Sequence, residues 1–268
     1  MDDSEFEGYA NFDDLMMMDK EANTKFTRQN YENIKFMLVR GDYKLLDKEY
    51  EKTRIIGTGA FGKIWIAYSK IFDINFVLKE TNFYNEEYQI NAYNEPIILK
   101  YLSYYGRCNK YILCYYDSIT MYHQDNNEGI VLLATEYING KTISKYNIDN
   151  LKELNRVYIE LWKGLKIMHD MGIVHMDIHS ENIMITETGE IKFIDFGKAC
   201  AGNSKIGGDL EVTICENGYD SDLNNLKNVC IFLTENFTKH TLLVDPYIQN
   251  IKKIYKSSTN VLNFLQIS

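Results

Sequence analysis

The sequence lacks most of the features that assign a chain to a specialised class at sight. It lacks a basic surplus: 29 Lys and Arg stand against 38 Asp and Glu, a formal net charge of −9. Long-range electrostatics therefore do not favour a nucleic-acid partner. It lacks an apolar run of membrane-spanning length, and its acidic start is unlike a signal peptide, so no membrane partner is expected. Its five cysteines (Cys108, Cys114, Cys200, Cys215, Cys230) lack metal-ligand spacing, and an odd, scattered set predicts reduced thiols in a cytoplasmic setting. Prolines number only two, beside 21 tyrosines, a bias of the kind AT-rich coding produces rather than a chemical signal. Internal repeats and low-complexity tracts are absent. What remains is an ordinary globular composition, 45% hydrophobic and 25% charged, in a chain long enough for one large or two modest domains.

Taken in order, residues 1–48 begin with Asp2, Asp3, Glu5, Glu7, Asp13 and Asp14 and read as an acidic, solvated extension rather than a docking tail. A helix is expected over Arg28–Leu38. Thr53–Ile56 and Lys63–Ala67 then read as strands around Gly57-Thr58-Gly59-Ala60-Phe61-Gly62. Three glycines in a hairpin turn let backbone amides approach phosphate oxygens without a side-chain clash. A dinucleotide fold would need a helix after these glycines, but a β-branched strand follows. A P-loop would need Ser or Thr after Gly62-Lys63, but Ile64 stands there. A third strand, Ile71–Lys79, ends in a lysine that an antiparallel neighbour would aim under the glycine turn. An amphipathic helix is expected over Glu86–Tyr104, with Glu95 as the candidate partner of Lys79. Pro96 conflicts with that helix. Either the helix restarts with Pro96 in its first turn, or Glu86 or Glu87 is the real partner.

Tyr111–Tyr116 and Gly129–Tyr137 read as two further strands, joined by the acidic turn Asp125–Gly129, which lacks the ligand ladder of a calcium loop. Gly140 marks a boundary between lobes. Leu151, Leu154, Tyr158, Leu161, Leu165 and Met168 form the core stripe of a long helix, and His169 near its end is read as structural. After an irregular segment, Ser221 to about Glu235 forms another helix with Asp222 in its first turn, and Asp245-Pro246 opens a last one.

The most informative run is Ile173 to Gly197. Asn182–Ile185 and Ile191–Ile194 read as short strands around the turn Glu187–Glu190. A hairpin brings its open ends together, so Asp177, Asn182 and Asp195 should gather around one point. Oxygen-bearing side chains of this kind suit Mg²⁺.

These motifs, in this order, resemble those of a eukaryotic-type protein kinase from about Glu49 to the C-terminus. The resemblance implies a two-lobed α+β fold. A mainly antiparallel N-lobe with one key helix would cover about 49–138, and a mainly helical C-lobe about 139–268. It implies an ATP- and Mg²⁺-dependent phosphotransferase, foremost a serine/threonine kinase that moves the γ-phosphate to a protein partner's hydroxyl. Ile56, Gly57, Thr58, Gly59, Ala60, Phe61 and Gly62 would then cover the phosphates. Lys79, held by Glu95, would grip them. Thr135 falls at the gatekeeper position, Glu136 to Ile138 at the adenine-binding hinge, and Ile64, Val77 and Met184 at the apolar sandwich around the base. Asp177 would accept the substrate proton, Asn182 and Asp195 would hold Mg²⁺, and Asp222 would steady the catalytic loop.

The chain departs from the family pattern in three places. Met176 replaces the arginine that usually meets a phosphorylated activation loop, so activity is expected without that phosphorylation. His179 stands where serine/threonine kinases carry a lysine that helps hold the γ-phosphate, a catalytic role an imidazole fills less uniformly at neutral pH. Ala-Pro-Glu is missing after Asp195-Phe196-Gly197. The last two features favour an alternative, a small-molecule kinase on the same fold. A second alternative, an ATP-binding pseudokinase scaffold, would be marked by loss of Lys79, Asp177 or Asp195, and none is lost. The arginine or alanine signature of a tyrosine kinase is absent from the catalytic loop.

Overall fold

A computed structural model describes residues 34–35, 37–59, 62–84, 86–122, 128–215 and 218–240. The chain divides into two units, residues 1–35 and 36–268; the architecture that follows is that of the second. Ala60, Phe61, the turn residues 123–127 and the helix expected after Asp245-Pro246 lie outside the described residues, as does most of the helix expected over Arg28–Leu38. No helix among the described residues is long and apolar enough to cross a membrane.

Five strands form the first sheet: β1 (Tyr50–Gly59), β2 (Gly62–Ser69), β3 (Ile74–Phe83), β4 (Tyr115–Tyr122) and β5 (Gly129–Glu136). Their order is β1-β2-β3-β5-β4, and every neighbouring pair is antiparallel. On β3 the side chains of Ile74, Phe76 and Leu78 alternate into the core, the period-two pattern of a strand with one buried face. This strand runs past the expected end at Lys79. The β2–β3 turn takes up residues 70–73, with Asp73 in the left-handed region at φ 51°, and pairing with β2 then reaches Thr81 opposite Gly62. Lys79 therefore sits within β3, between Ile64 of β2 and Leu133 of β5. Gly62 is required by packing: a Cβ there would lie 1.6 Å from the Glu80 carbonyl oxygen. The expected strand at Tyr111–Tyr116 is likewise shifted. Ile112 makes only an isolated bridge to Phe193, and regular pairing begins at Tyr115.

Helix α1 spans Glu86–Tyr105 without a break and carries Pro96 inside it. Neither sequence-based way around the proline is taken: the helix does not restart, and Glu95 remains on it. A proline removes one backbone hydrogen bond and crowds the preceding turn, at a cost of roughly 3 kcal/mol in a helix interior. Ile98, Leu99 and Leu102, buried just beyond it in the main core cluster, work against that cost. Burial of one such side chain contributes about 1.5–3 kcal/mol.

The second lobe is organised around α2 (Leu151–Asp170), capped by the Asn150 side chain, which accepts from the Glu153 amide. Leu154, Val157, Leu161, Leu165 and Met168 pack against Ile183, Ile185, Ile191 and Phe193 and against Leu226, Val229 and Leu233. These partners lie on β8 (Ile183–Thr186), β9 (Ile191–Phe193) and α4 (Gly218–His240). Strand β6 (Gly140–Thr142) completes a three-stranded sheet in the order β6-β8-β9. Strand β7 (Ile173–Val174) pairs with β10 (Cys200–Ala201), and α3 (Ser204–Leu210) follows within the segment expected to be irregular. Helix α4 starts at Gly218, a little before the expected Ser221. The architecture is the two-lobed α+β fold anticipated: an antiparallel sheet with one helix, then a mainly helical lobe.

Candidate active site

The site is assembled from the middle of β3, the middle of α1 and the loops flanking the β8–β9 hairpin. Lys79 donates from Nζ to Glu95 Oε2 at 2.7 Å and to Asp195 Oδ1 at 2.9 Å. The other oxygen of Glu95 accepts from the Phe196 amide at 3.2 Å, so this one buried carboxylate ties the lysine to the Asp195-Phe196-Gly197 turn. Burial alone would lower the Lys79 pKa, but the Glu95 and Asp195 carboxylates outweigh it and hold the ammonium above its ordinary value. Burial pushes Asp195 the other way, up, yet Lys79 and the Gly197 amide keep its carboxyl below the usual range. Both groups are thus held charged. Asp195 itself is in the left-handed region at φ 61°.

Strand β7 delivers the chain into His175-Met176-Asp177. The buried Asp222 carboxylate, from the first turns of α4, accepts from the His175 amide at 2.7 Å and from the Met176 amide at 2.8 Å. His169 Nε2 lies 3.0 Å from the same carboxylate, a structural role as expected for that residue. Met176 has φ 64°, a conformation that costs a non-glycine residue of order 1–3 kcal/mol and persists only where its surroundings enforce it. The Asp222 clamp supplies that enforcement. The His175 ring is fully buried, with its centroid 4.7 Å from that of Phe196. Its Nδ1 accepts from the Asp177 amide at 3.3 Å, which leaves Nε2 to donate to the Ile194 carbonyl at 3.1 Å. Burial lowers the His175 pKa, consistent with that neutral, doubly committed ring.

Asn182 Nδ2 donates to the Asp177 carbonyl at 3.1 Å and to Asp177 Oδ2 at 3.2 Å. The Ile194 amide donates to the Asn182 carbonyl at 3.0 Å. The hairpin therefore joins its two ends as expected. Two further side chains also approach Asp177: Lys198 Nζ at 2.9 Å from Oδ1, and His179 Nε2 at 3.8 Å from Oδ2.

These groups open onto a cleft of about 760 Å³, a size suited to a nucleotide-scale ligand. Of the motif residues named from sequence, Gly57, Thr58, Gly62, Ile64, Lys79, Glu95, Met176, Asp177, Asp195 and Gly197 line it. Ile56 is on exposed β1, Val77 pairs with Thr135, and Asn182 is buried beside Asp177. Met184 sits on β8 between Thr142 and Lys192. None of these, nor Glu136, Ile138 or His179, is among the residues lining the cleft. The Glu136 carboxylate is committed elsewhere: it accepts from Lys192 Nζ at 2.6 Å and from the Cys114 amide at 2.8 Å in the interior. Any ligand contact by Glu136 must come from its backbone.

Among the described residues no three His, Cys, Asp or Glu side chains converge as a ready-made metal cage. Mg²⁺ does not require one, since it commonly takes one or two carboxylates together with substrate phosphates. Asp195 and Asn182, oxygen donors flanking Asp177, fit that pattern.

The cysteines correct the sequence expectation of reduced thiols. Cys108 is joined to Cys114 and Cys200 to Cys215, with Cα separations of 5.0 and 5.8 Å, while Cys230 is buried and belongs to neither disulfide. The second pair forms because the chain folds back after α3. The Cys215 amide donates to the Ala201 carbonyl at 2.9 Å and the Ala201 amide to the Thr213 carbonyl at 2.8 Å. Both of these cysteines line the cleft. Sequence reasoning also missed Lys198 and Lys192. The position of Lys198 directly after Gly197 was the one signal that could have marked it.

A family model described as "Protein kinase domain" matches residues 50–220. Among curated proteins, the probable serine/threonine-protein kinase mkcB of Dictyostelium discoideum is 28% identical over 189 residues, 66% of this chain and 24% of that protein. The serine/threonine-protein kinase STE20 of Yarrowia lipolytica is 28% identical over 153 residues, 56% of this chain and 13% of that protein. Its counterpart in Saccharomyces cerevisiae is 25% identical over 181 residues, 66% of this chain and 18% of that protein. The chain spans about a quarter or less of the length of these relatives.

Proposed function

The chain belongs to the protein kinase domain family, and from that premise we propose that it is an ATP- and Mg²⁺-dependent phosphotransferase acting on serine or threonine hydroxyls of a protein. One observation carries the reading. Lys79 is fixed between Glu95 and Asp195, and Asp177 stands on the same cleft, locked in place from behind by Asp222. Phosphoryl transfer needs positioned charges more than covalent help from the protein, and this arrangement supplies them.

In this reading Lys79 holds the α/β-phosphates and the glycine turn covers them. Asp195 and Asn182 would hold Mg²⁺, which when bound neutralises phosphate charge. Asp177 orients the acceptor hydroxyl and receives its proton. Backbone groups of Glu136 and Ile138 meet the adenine, beside Ile64, Val77 and Met184. The two lobes meet near Ile138, and residues 1–48 precede the catalytic domain. The printed names of the relatives, and the absence of a tyrosine-kinase signature, support the serine/threonine assignment.

One observation favours a second reading, a small-molecule acceptor. The segment between Gly197 and α4 is short, lacks Ala-Pro-Glu, and is folded into β10 and α3 instead of an extended docking platform. The two readings separate in a transfer assay with radiolabelled ATP, using mixed protein acceptors in one arm and a metabolite extract in the other. Label on protein supports the serine/threonine reading; label on metabolites alone replaces it with the second. Nucleotide binding with no transfer in either arm would leave a scaffold.

A further inference from the structure

Two ammonium groups reach the acidic centre of the cleft, and they are held very differently. Lys79 is gripped from two sides by Glu95 and Asp195. For Lys198 the contact is with one carboxylate oxygen, Asp177 Oδ1 at 2.9 Å, and its side chain is 69% exposed on the cleft wall. Its backbone, by contrast, is well anchored. The preceding turn is tied to Glu95 through the Phe196 amide, the Ala199 amide donates to the Phe196 carbonyl at 3.0 Å, and the Ala199 carbonyl accepts from Asn94 Nδ2. Lys198 is thus an exposed side chain on an anchored backbone, held 2.9 Å from the residue that must meet the acceptor hydroxyl.

On the phosphotransferase reading above, we propose that Lys198 is a catalytic cation that leaves Asp177 to contact the γ-phosphate of bound ATP and neutralises the charge developing there during transfer. In that step the bond from the γ-phosphorus to its bridging oxygen breaks and a bond to the acceptor hydroxyl oxygen forms. The hydroxyl proton passes to Asp177, and ADP leaves. Lys198 exchanges no proton; it remains an ammonium and shifts its partner from carboxylate to phosphate.

The electrostatic need is general. Charge spreads over the three equatorial oxygens of the moving group, and pre-positioned cations in a recessed site stabilise it far more than water does. Lys79 is already engaged by two carboxylates. Lys198, at 2.9 Å, stands closer to Asp177 than His179 does. The His179 Nε2 nevertheless lies 3.8 Å from the other oxygen of Asp177. A lysine introduced there would bring a second ammonium close to Asp177.

The test is calorimetric binding of ATP and of ADP, each with Mg²⁺, alongside phosphate transfer, for the wild type, Lys198→Ala, and Lys198→Ala combined with His179→Lys. Lys198→Ala is expected to weaken ATP binding about tenfold, to leave ADP binding within about twofold, and to lower kcat on the order of 100-fold. The double variant is expected to regain about tenfold or more of the lost kcat. Unchanged transfer in Lys198→Ala overturns the proposal. So does faster transfer, which would make Lys198 a latch on Asp177, and so does an equal loss of ATP and ADP affinity, which would make it structural. If the wild type binds neither nucleotide, the phosphotransferase reading fails together with it. If the wild type transfers phosphate and Lys198→Ala matches it, this proposal fails alone.

Discussion

Replacement of Asp222 by asparagine should damage both the stability of the chain and its chemistry. Asp222 is 0% exposed, and its two oxygens accept the backbone amides of His175 and Met176 at 2.7 and 2.8 Å. Asparagine has nearly the same volume but turns one oxygen into a donor. Whichever way the amide faces, one backbone N–H then points at another donor with no water to take its place. Losing one charge-assisted hydrogen bond and stranding one buried amide costs about 3–5 kcal/mol together. That is a large share of the roughly 5–15 kcal/mol that holds an ordinary domain together, so the variant should fold but melt on the order of 10 °C lower. The damage also reaches the chemistry. Met176 is held at φ 64° by this clamp, and its release displaces Asp177. Transfer should fall about tenfold or more at temperatures where the variant is fully folded, since small misplacements of a reacting group are costly. Urea unfolding followed by tryptophan fluorescence gives the first quantity and initial-rate phosphorylation the second. A stability loss below about 1 kcal/mol with unchanged transfer would refute the clamp.

Other perturbations follow from the same structure. Lys192→Met removes the ammonium that faces the buried Glu136 carboxylate and should cost about 3–5 kcal/mol in urea unfolding, most of it recovered when Glu136→Gln is added. If the double variant is no better than the single, the pair is not the cause. Burial holds the His175 imidazole below its ordinary 6.5, so the unfolded chain takes up a proton that the folded one resists. Its contribution to stability is full above that value and is lost as pH falls from 6.5 toward the depressed folded value. The urea midpoint should therefore drop on acidification through that window, and a His175→Gln variant should show a shallower slope. Thiol titration of the denatured, unreduced protein should find one reactive cysteine, Cys230, and five after reduction; five before reduction would contradict the pairing.

The candidate site was legible in the sequence because its signals are local. Asp177, Asn182 and Asp195 lie within one hairpin whose turn residues and β-branched strands announce themselves, and the structure joins Asn182 to Asp177 as that hairpin requires. Asp222 was legible for the same reason, near the start of a helix. What escaped was set by contacts between segments far apart. Pro96 conflicts with a helix when propensity is weighed without the buried Ile98, Leu99 and Leu102 that hold α1 through it. The cysteine pairs depend on how the chain folds back after α3, which spacing does not encode. Lys192 and Glu136, 56 positions apart, meet inside the protein although each reads singly as a surface charge. Lys198 was passed over for a different reason: an exposed lysine after a recognised motif looks like solubility until its distance to Asp177 is known.

The central claim is that Lys79, Asp177 and Asp195 form one charge-organised centre for phosphoryl transfer. The most direct measurement is transfer of label from γ-labelled ATP in the presence of Mg²⁺, comparing the wild type with Asp177→Ala and Lys79→Met at matched folded concentration. The account predicts transfer by the wild type and its near abolition in both variants, while Asp177→Ala still binds ATP. Comparable transfer by all three proteins, or by Asp177→Ala alone, would contradict it.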